Sequence, residues 1–426
     1  MHLHERNLGA GARLRTQANA ESPELQILTA GALPDQAVYL DSPVISALRQ
    51  IIPFYDSGVF DGTETPLYLR VKPVIKVQLA VTRKPRGVDI RQIRGGQISR
   101  MPLSPGAVVF YPFNSQSNMN AVTNRKAYHV LTLHGESNKL ASSRAAARLY
   151  DYIAVAGDLA RDRYLEAGIF TAADVDNGRL VMMGDSFVQD LRWIVSAAVD
   201  DAEAALLYCP TWEGYGKGPN NYCSMVHGRG FSIAAAAAAA SDTRRIVVKP
   251  HPYLGLLQPG ILRDFVAGIR QLADGGFRIE LALGDANLLV RTVARTRLND
   301  IPRFLESKEV PLRLKLGLCD VSGMEAVFLK QRIAHLVITR EADIPVQLDY
   351  FYRKKAILPA SDVERTTKAY IDDAPQIDAI HRGRVFSWHE PALAVKCGAA
   401  RRNWLIDHVR RDPFWKSAGR GGGKCV

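Results

Sequence analysis

Short apolar runs in this chain alternate with stretches in which apolar residues recur at helical spacing. In the first half, residues 107–111, 128–133, 152–156 and 179–183 read as buried strands. Residues 142–150 and 159–167 carry the helical pattern between them. Gly157-Asp158 fits a strand end followed by a helix N-cap, and Gly168 fits the stop of the helix before it. A second rhythm follows a helical stretch at 187–205. Its strands are predicted at 205–209, 245–249, 277–282, 314–320 and 334–338, and its helices at 231–240, 261–273 and 323–331. Strand–helix alternation of this kind predicts parallel sheets, so the expected fold class is α/β with two Rossmann-like domains.

The expected division is a loosely ordered arm over 1–36, one Rossmann-like domain over 37–200 and a second over 201–390. Closing helices at 391–418 and a disordered Gly/Arg-rich tail at 419–426 complete it. A chain of 426 residues is long for one core and comfortable for two. The Ala-rich tract at 234–240 is low in complexity, but no internal repeat accompanies it.

Composition changes the picture only at a few points. An apolar share of 47% with 23% charged residues is that of a globular chain, and no run reaches the roughly 18–20 apolar residues needed to span a bilayer. The opening Met1-His-Leu-His-Glu-Arg has no apolar leader core, so a cytoplasmic location is expected. Five cysteines without Cys-x-x-Cys spacing fit reduced thiols rather than a disulfide framework or a zinc site. The net charge of +12 favours anionic partners. No nucleic-acid-binding motif accompanies it, so sequence-specific nucleic acid is not expected.

Ligands of open parallel sheets bind at the carboxyl ends of the strands, and each half places a histidine there. His134 follows the run ending at Leu133, and His251 lies in Val248-Lys-Pro-His-Pro252. The prolines hold the second loop extended and project Lys249 and His251, which suits a phosphate-facing role. His134 stands beside Gly135, where a substrate can approach the backbone, and is a candidate general base; a helix cap, with Glu136 and Ser137 as helix-start residues, is the structural alternative. Thr211, just past the strand that opens the second half, is a candidate donor-phosphate contact, and Gly135, Glu136 and Ser137 are expected on the acceptor side. At Cys319-Asp-Val-Ser-Gly-Met-Glu325 a strand runs into a helix whose free amides attract phosphate. Ser322 and Gly323 are candidate phosphate contacts and Glu325 a candidate ribose ligand; capping by Asp320 or Ser322 and tight packing at Gly323 explain the segment equally well. Gly214-Tyr-Gly-Lys-Gly218 lacks the ending and following helix of a P-loop and reads as a flexible loop. No carboxylates stand at metal-ligand spacing, and no metal is expected.

Five segments occur in the order Leu-His-Gly (133–135), Asp-Tyr-Ile-Ala-Val-Ala-Gly (151–157), Leu-Tyr-Cys-Pro-Thr-Trp (207–212), Val-Lys-Pro-His-Pro (248–252) and Cys-Asp-Val-Ser-Gly (319–323). In this order and spacing the chain resembles the CDP-glycerol:poly(glycerophosphate) glycerophosphotransferases of teichoic-acid and capsule synthesis, whose catalytic part has the GT-B fold. The resemblance covers roughly residues 129–337. It implies an acceptor-activating base at His134, a donor-phosphate role for His251, and phosphate binding by Asp320 with Ser322. It also implies catalysis without a metal or other cofactor. The chain departs from the family at Glu136-Ser137, where threonine is usual, and at Gly323, where a second serine is usual. The Ser-Gly-Met-Glu run is similar to that of GT-B sugar transferases and UDP-GlcNAc 2-epimerases, in which a carboxylate holds the donor ribose. The implied activity is therefore transfer from a nucleotide-activated donor, CDP-glycerol or a nucleotide sugar, to a cell-surface polymer such as teichoic acid, capsule or lipopolysaccharide glycan. The alternatives are an epimerase-like nucleotide-sugar enzyme and a non-catalytic GT-B binding module. Expected partners are the nucleotide-linked donor, a polymer or lipid-linked acceptor, and the anionic inner face of the cell membrane as a peripheral contact.

Overall fold

The computed structural model describes residues 32–413 except 43–46, 82–86, 140–143, 199–200, 215–221, 302 and 306–310. The arm expected at 1–36 falls almost wholly outside the described residues, as do the tail at 419–426 and all of the Gly214–Gly218 loop but its first glycine.

Among the described residues fifteen strands form two sheets, and every pairing within them is parallel. The first contains β1 (Gln36–Leu40), β2 (Leu67–Arg70), β3 (Ile90–Ile93), β4 (Ala107–Tyr111), β5 (Ala127–Leu131), β6 (Tyr152–Val155) and β7 (Leu180–Met182), in the order β3-β2-β1-β4-β5-β6-β7. The second contains β8 (Ile194–Ser196), β9 (Ala205–Cys209), β10 (Arg245–Val248), β11 (Arg278–Leu281), β12 (Arg303–Phe304), β13 (Leu312–Asp320), β14 (His335–Ile338) and β15 (Ala356–Ile357). Its order is β12-β11-β10-β9-β13-β14-β15, with β8 alongside β13. Both sheets are doubly wound: strand order reverses between β1 and β4 in one and between β9 and β13 in the other. This is the expected α/β class with two Rossmann-like halves, in a GT-B-like arrangement.

The central strands β4, β5, β6 and β9 are buried on both faces, which is why they read as continuous apolar runs rather than alternating ones. Two local expectations change. The described part of 187–205 is not helical but carries β8, which joins the second sheet ahead of residue 200. Of the expected helix at 142–150, the described residues 144–150 give a short 3-10 helix, Ala145–Leu149, and the rest lies outside the described residues.

The chain ends by returning to its first half. Helix Val363–Val385 leaves the second half, and Ser387 then donates its N–H to Ala156 O at 3.1 Å while its Oγ accepts from Asp158 N–H at 2.9 Å. A Cβ at Gly157 would lie 2.6 Å from Ser387 N and Val385 O, so only glycine admits this crossing. Helix Gly398–Arg411 buries Leu405, Ile406 and Val409 in the same core as Val38, Leu40 and Phe110 of the first sheet. Among the described residues no helix is long and apolar enough to cross a membrane.

Candidate functional site

The switch point of the second sheet gathers most of the candidates. β9 and β13 run in register to Cys209 opposite Cys319, and β10 lies on the other side of β9. Three loops therefore leave the same sheet end: Pro210 to Glu213, Lys249 to Pro252, and Val321 to Gly323. Ser322 caps the helix Gly323–Gln331, its Oγ accepting from Met324 N–H at 3.4 Å. The remaining amides of that first turn point their dipole at the strand ends.

His251 packs over the Trp212 ring, with centroids 6.2 Å apart, and edge-on to Tyr253. Its Nδ1 accepts from Tyr253 N–H at 3.1 Å, so the neutral ring carries its proton on Nε2 and offers a donor there. Burial, then Lys139, Lys249 and His134, hold its pKa well below 6.5. Lys249 pairs with Asp285 at 3.5 Å.

From the first half, His134 stacks on Phe113, with centroids 4.3 Å apart, and its Nδ1 lies 2.8 Å from Pro112 O. A carbonyl only accepts, so Nδ1 holds the hydrogen and Nε2 keeps its lone pair. Burial lowers the pKa of His134 below its ordinary value. The imidazole is thus neutral and basic at Nε2. Leu133 just before it has φ 58°, a left-handed backbone that non-glycine residues hold only when their surroundings fix it.

No helix starts at Glu136; the segment to Lys139 is an irregular strap. Glu136 Oε1 accepts from Arg163 and from Ser137 N–H, and Arg163 Nη1 donates to Asn138 Oδ1 at 2.7 Å. The strap is thereby fixed to helix Asp158–Glu166 and reaches the other half. Asn138 Nδ2 donates to Tyr352 Oη at 3.0 Å and to Glu325 Oε2 at 3.3 Å. Lys139 Nζ donates to Thr211 Oγ1 at 2.7 Å, and burial brings its pKa down to about 8. A Cβ on Gly323 would stand 3.4 Å from Glu136 O. His134, Gly135 and Lys139 therefore face Thr211, Lys249, His251 and the Ser322–Gly323 turn.

Two expectations are corrected. Asp320 is fully buried, and its Oδ2 accepts from the N–H groups of Thr211 at 2.8 Å and Ser224 at 3.1 Å. It ties loops together and presents nothing to a phosphate; burial pushes its pKa up to about 6. Glu325, expected at the donor ribose, is also buried. Its Oε2 accepts from Tyr352 Oη–H at 2.6 Å, and its Oε1 lies 3.9 Å from both Lys355 Nζ and His381 Nε2. Glu325, His335 and His381 bring ligand atoms within 4.8 Å of one another. Lys355, however, donates to His335 Nε2 at 2.7 Å and to Asp378 Oδ1 at 3.2 Å, so an ammonium already fills the place of a cation.

Two residues escape the motif reading. Lys139 is a lone cation five positions past His134, and its partner Thr211 is distant in sequence. Glu213, directly after Thr211 and Trp212, is buried and accepts from the N–H groups of Gly255, Leu257 and Gln258 at 3.0, 3.1 and 2.9 Å. It fixes the loop that begins at His251.

Two doubly wound halves with facing strand ends define a GT-B-like cleft protein. No family model matches the chain, and no curated protein matches it. Among solved structures, the chain is similar to one from Listeria monocytogenes assigned as a UDP-N-acetylglucosamine 2-epimerase, with TM-score 0.49 and 10% identity, covering 93% of this chain and 100% of that one. It is similar to the wall teichoic acid polymerase TagF with TM-score 0.49 and 8% identity over 90% of each chain. Anabaena HepE in complex with UDP gives TM-score 0.47 and 9% identity, covering 88% of this chain and 98% of that one.

Proposed function

We propose that this chain is a transferase that uses a nucleotide-activated donor, CDP-glycerol or a nucleotide sugar, to extend a cell-surface polymer such as teichoic acid, capsule or lipopolysaccharide glycan. The observation that carries the reading is the facing of a neutral, Nε2-basic His134 and a set of cations and donors around the second switch point.

His134 Nε2 takes the proton of an acceptor hydroxyl as its oxygen attacks the donor. With CDP-glycerol the attack falls on the phosphorus bearing glycerol, and the bond to the CMP oxygen breaks. With a nucleotide sugar it falls on the anomeric carbon, and the bond to the nucleoside diphosphate breaks. In either case negative charge grows on the departing phosphate. Lys249, Lys139, His251 Nε2–H and the amides of the Ser322–Gly323 turn stabilise it, as preorganised donors do in a site that excludes water. Gly135 leaves room for the acceptor beside His134, and Glu136 with Ser137 hold the strap in place. The scheme calls on no cofactor.

The test is a thermal-shift panel of CDP-glycerol, CMP, CDP, UDP and UDP-sugars on the wild type and His251→Ala. Stabilisation of the wild type by at least one nucleotide, reduced in the variant, is expected. A wild type that no nucleotide stabilises refutes the donor site. Product formed from a donor alone, without an acceptor, refutes transfer in favour of an epimerase.

A further inference from the structure

Beside the candidate site, on the second half, four leucines stand in solvent. Leu256 and Leu257 are 51% and 46% exposed, and Leu288 and Leu289 are 78% and 39% exposed. They lie on two segments joined by one side chain. Asn287 donates from Nδ2 to Pro252 O at 3.0 Å and Leu254 O at 2.9 Å, while its Oδ1 caps the helix Leu288–Arg297 at Val290 N–H. From the other side, Glu213 grips the amides of Gly255, Leu257 and Gln258. A loop held at five backbone groups and a capped helix end is not a floppy surface. Its leucines are kept exposed although folding favours their burial.

The charge around them is mainly positive, with Asp264 and Asp285 as the nearby acidic groups. The helix Leu288–Arg297 carries Arg291, Arg295 and Arg297 and no acidic residue. Arg263 is exposed on the neighbouring helix Ile261–Asp274. Arg49 of the first half reaches Gly284 O and Ala286 O and lies near enough to Arg291 to feel its charge. Arg263, Arg291 and Arg295 have no carboxylate partner among the described residues, and the neighbouring Asp285 is engaged by Lys249. Exposed leucines ringed by arginines fit an interface with apolar depth and negative charge at its surface. A second copy meeting this face about a two-fold axis would set the arginines against one another.

We propose that this face, Leu256, Leu257, Leu288 and Leu289 with Arg263, Arg291 and Arg295, docks on an anionic lipid bilayer. The proposal deepens the reading of a lipid-linked or membrane-borne acceptor. The loop that bears Leu256 and Leu257 begins at His251, so docking sets the cleft mouth beside the lipid surface.

The experiment is co-sedimentation of the full chain with phosphatidylcholine vesicles, with and without phosphatidylglycerol. The wild type should bind only the anionic vesicles and should be released by salt. Replacing Leu256, Leu257 and Leu288 with serine should lower partitioning by about tenfold or more, from the loss of inserted apolar area. Arg291→Gln with Arg295→Gln should lower it by about fivefold per residue and weaken the preference for anionic lipid. Val395→Ser, a substitution at a residue 89% exposed on the segment that packs against the first half, should change nothing. Unchanged melting and an unchanged nucleotide shift in every variant separate this result from misfolding and from failure of the donor site. The proposal is overturned if the wild type ignores anionic vesicles, if the serine variant partitions like the wild type, or if light scattering shows that the serine substitutions instead dissociate an oligomer.

Discussion

Lys139→Met is the sharpest perturbation of the cleft. Its ammonium spans the two halves to Thr211, buried enough to bring its pKa down to about 8. Against a bound diphosphate, a hydrogen bond to a charged group is worth about 1.5–3 kcal/mol, which is roughly ten- to a hundredfold in Kd. Isothermal titration with CDP and UDP should show that loss, whereas cytidine and uridine, which carry no phosphate, should bind as before.

The pH dependence has a definite sign. A base whose pKa is lowered on folding is charged below about 8 and loses its proton as pH rises through that value. Wild-type affinity for a diphosphate should therefore fall between pH 7 and pH 9, while Lys139→Arg, whose guanidinium stays charged, should hold its affinity. For folding the same shift works the other way. The unfolded chain keeps its proton up to the ordinary lysine value, so the buried charge costs stability below about pH 8 and the cost fades as pH rises. Lys139→Met should thus bind phosphate worse while being no less stable at pH 7. Equal diphosphate affinity in wild type and Lys139→Met would refute the placement of this ammonium at the phosphate.

Other outcomes follow from the same geometry. His134→Ala should lower transfer by about a hundredfold or more with little change in nucleotide affinity; near-normal turnover in a donor-consumption assay would remove it as the base. Gly230→Ala would put a Cβ 1.9 Å from Tyr208 Oη, which is buried, so urea unfolding should report a loss of about 1–3 kcal/mol. Glu213→Gln leaves one oxygen for three amides and should cost about 1–3 kcal/mol, while raising hydrogen exchange at Gly255, Leu257 and Gln258. Asp320, raised to about 6, binds its proton more tightly folded than unfolded, so its contribution to stability grows as pH falls from about 6 to about 4. Asp320→Asn should remove that pH dependence from the urea midpoint; an identical profile in both proteins would contradict the burial of a charged carboxylate.

The sheets could be read from sequence because strands buried on both faces leave uninterrupted apolar runs, and caps such as Gly157-Asp158 mark where helices begin. β1, β2 and β3 were not predicted: β1 and β2 are short although buried, and β3 is a partly exposed edge strand, Ile-Arg-Gln-Ile, whose pattern is diluted by polar residues. The site separates along the same line. Strand-end position depends on local sequence, so the places of His134, Thr211, Lys249, His251 and Ser322 at strand ends could be read from where the apolar runs stop. The direction in which a carboxylate faces depends on pairings between distant segments. Asp320 turns inward because β13 lies beside β9, whose following loop offers it the amide of Thr211, and nothing in residues 319–325 records that neighbour.

The same reasoning explains why Lys139 matters more than its lack of a motif suggests. Each half alone presents an incomplete site. In the proposed scheme the first supplies the base at His134, and the second supplies the anion-binding turn with Lys249 and His251. The strap from His134 to Lys139 joins them, because Arg163 fixes its middle through Glu136 and Asn138 while its end reaches Thr211. A strap with the proposed base at one end and the proposed phosphate ligand at the other would couple the two halves mechanically. Donor binding that draws Lys139 from Thr211 to a phosphate would move the strap on which His134 sits. Arg163→Ala should therefore reduce turnover more than nucleotide affinity, although Arg163 touches neither substrate, and equal loss in kcat and in affinity would show that the strap merely lines the cleft.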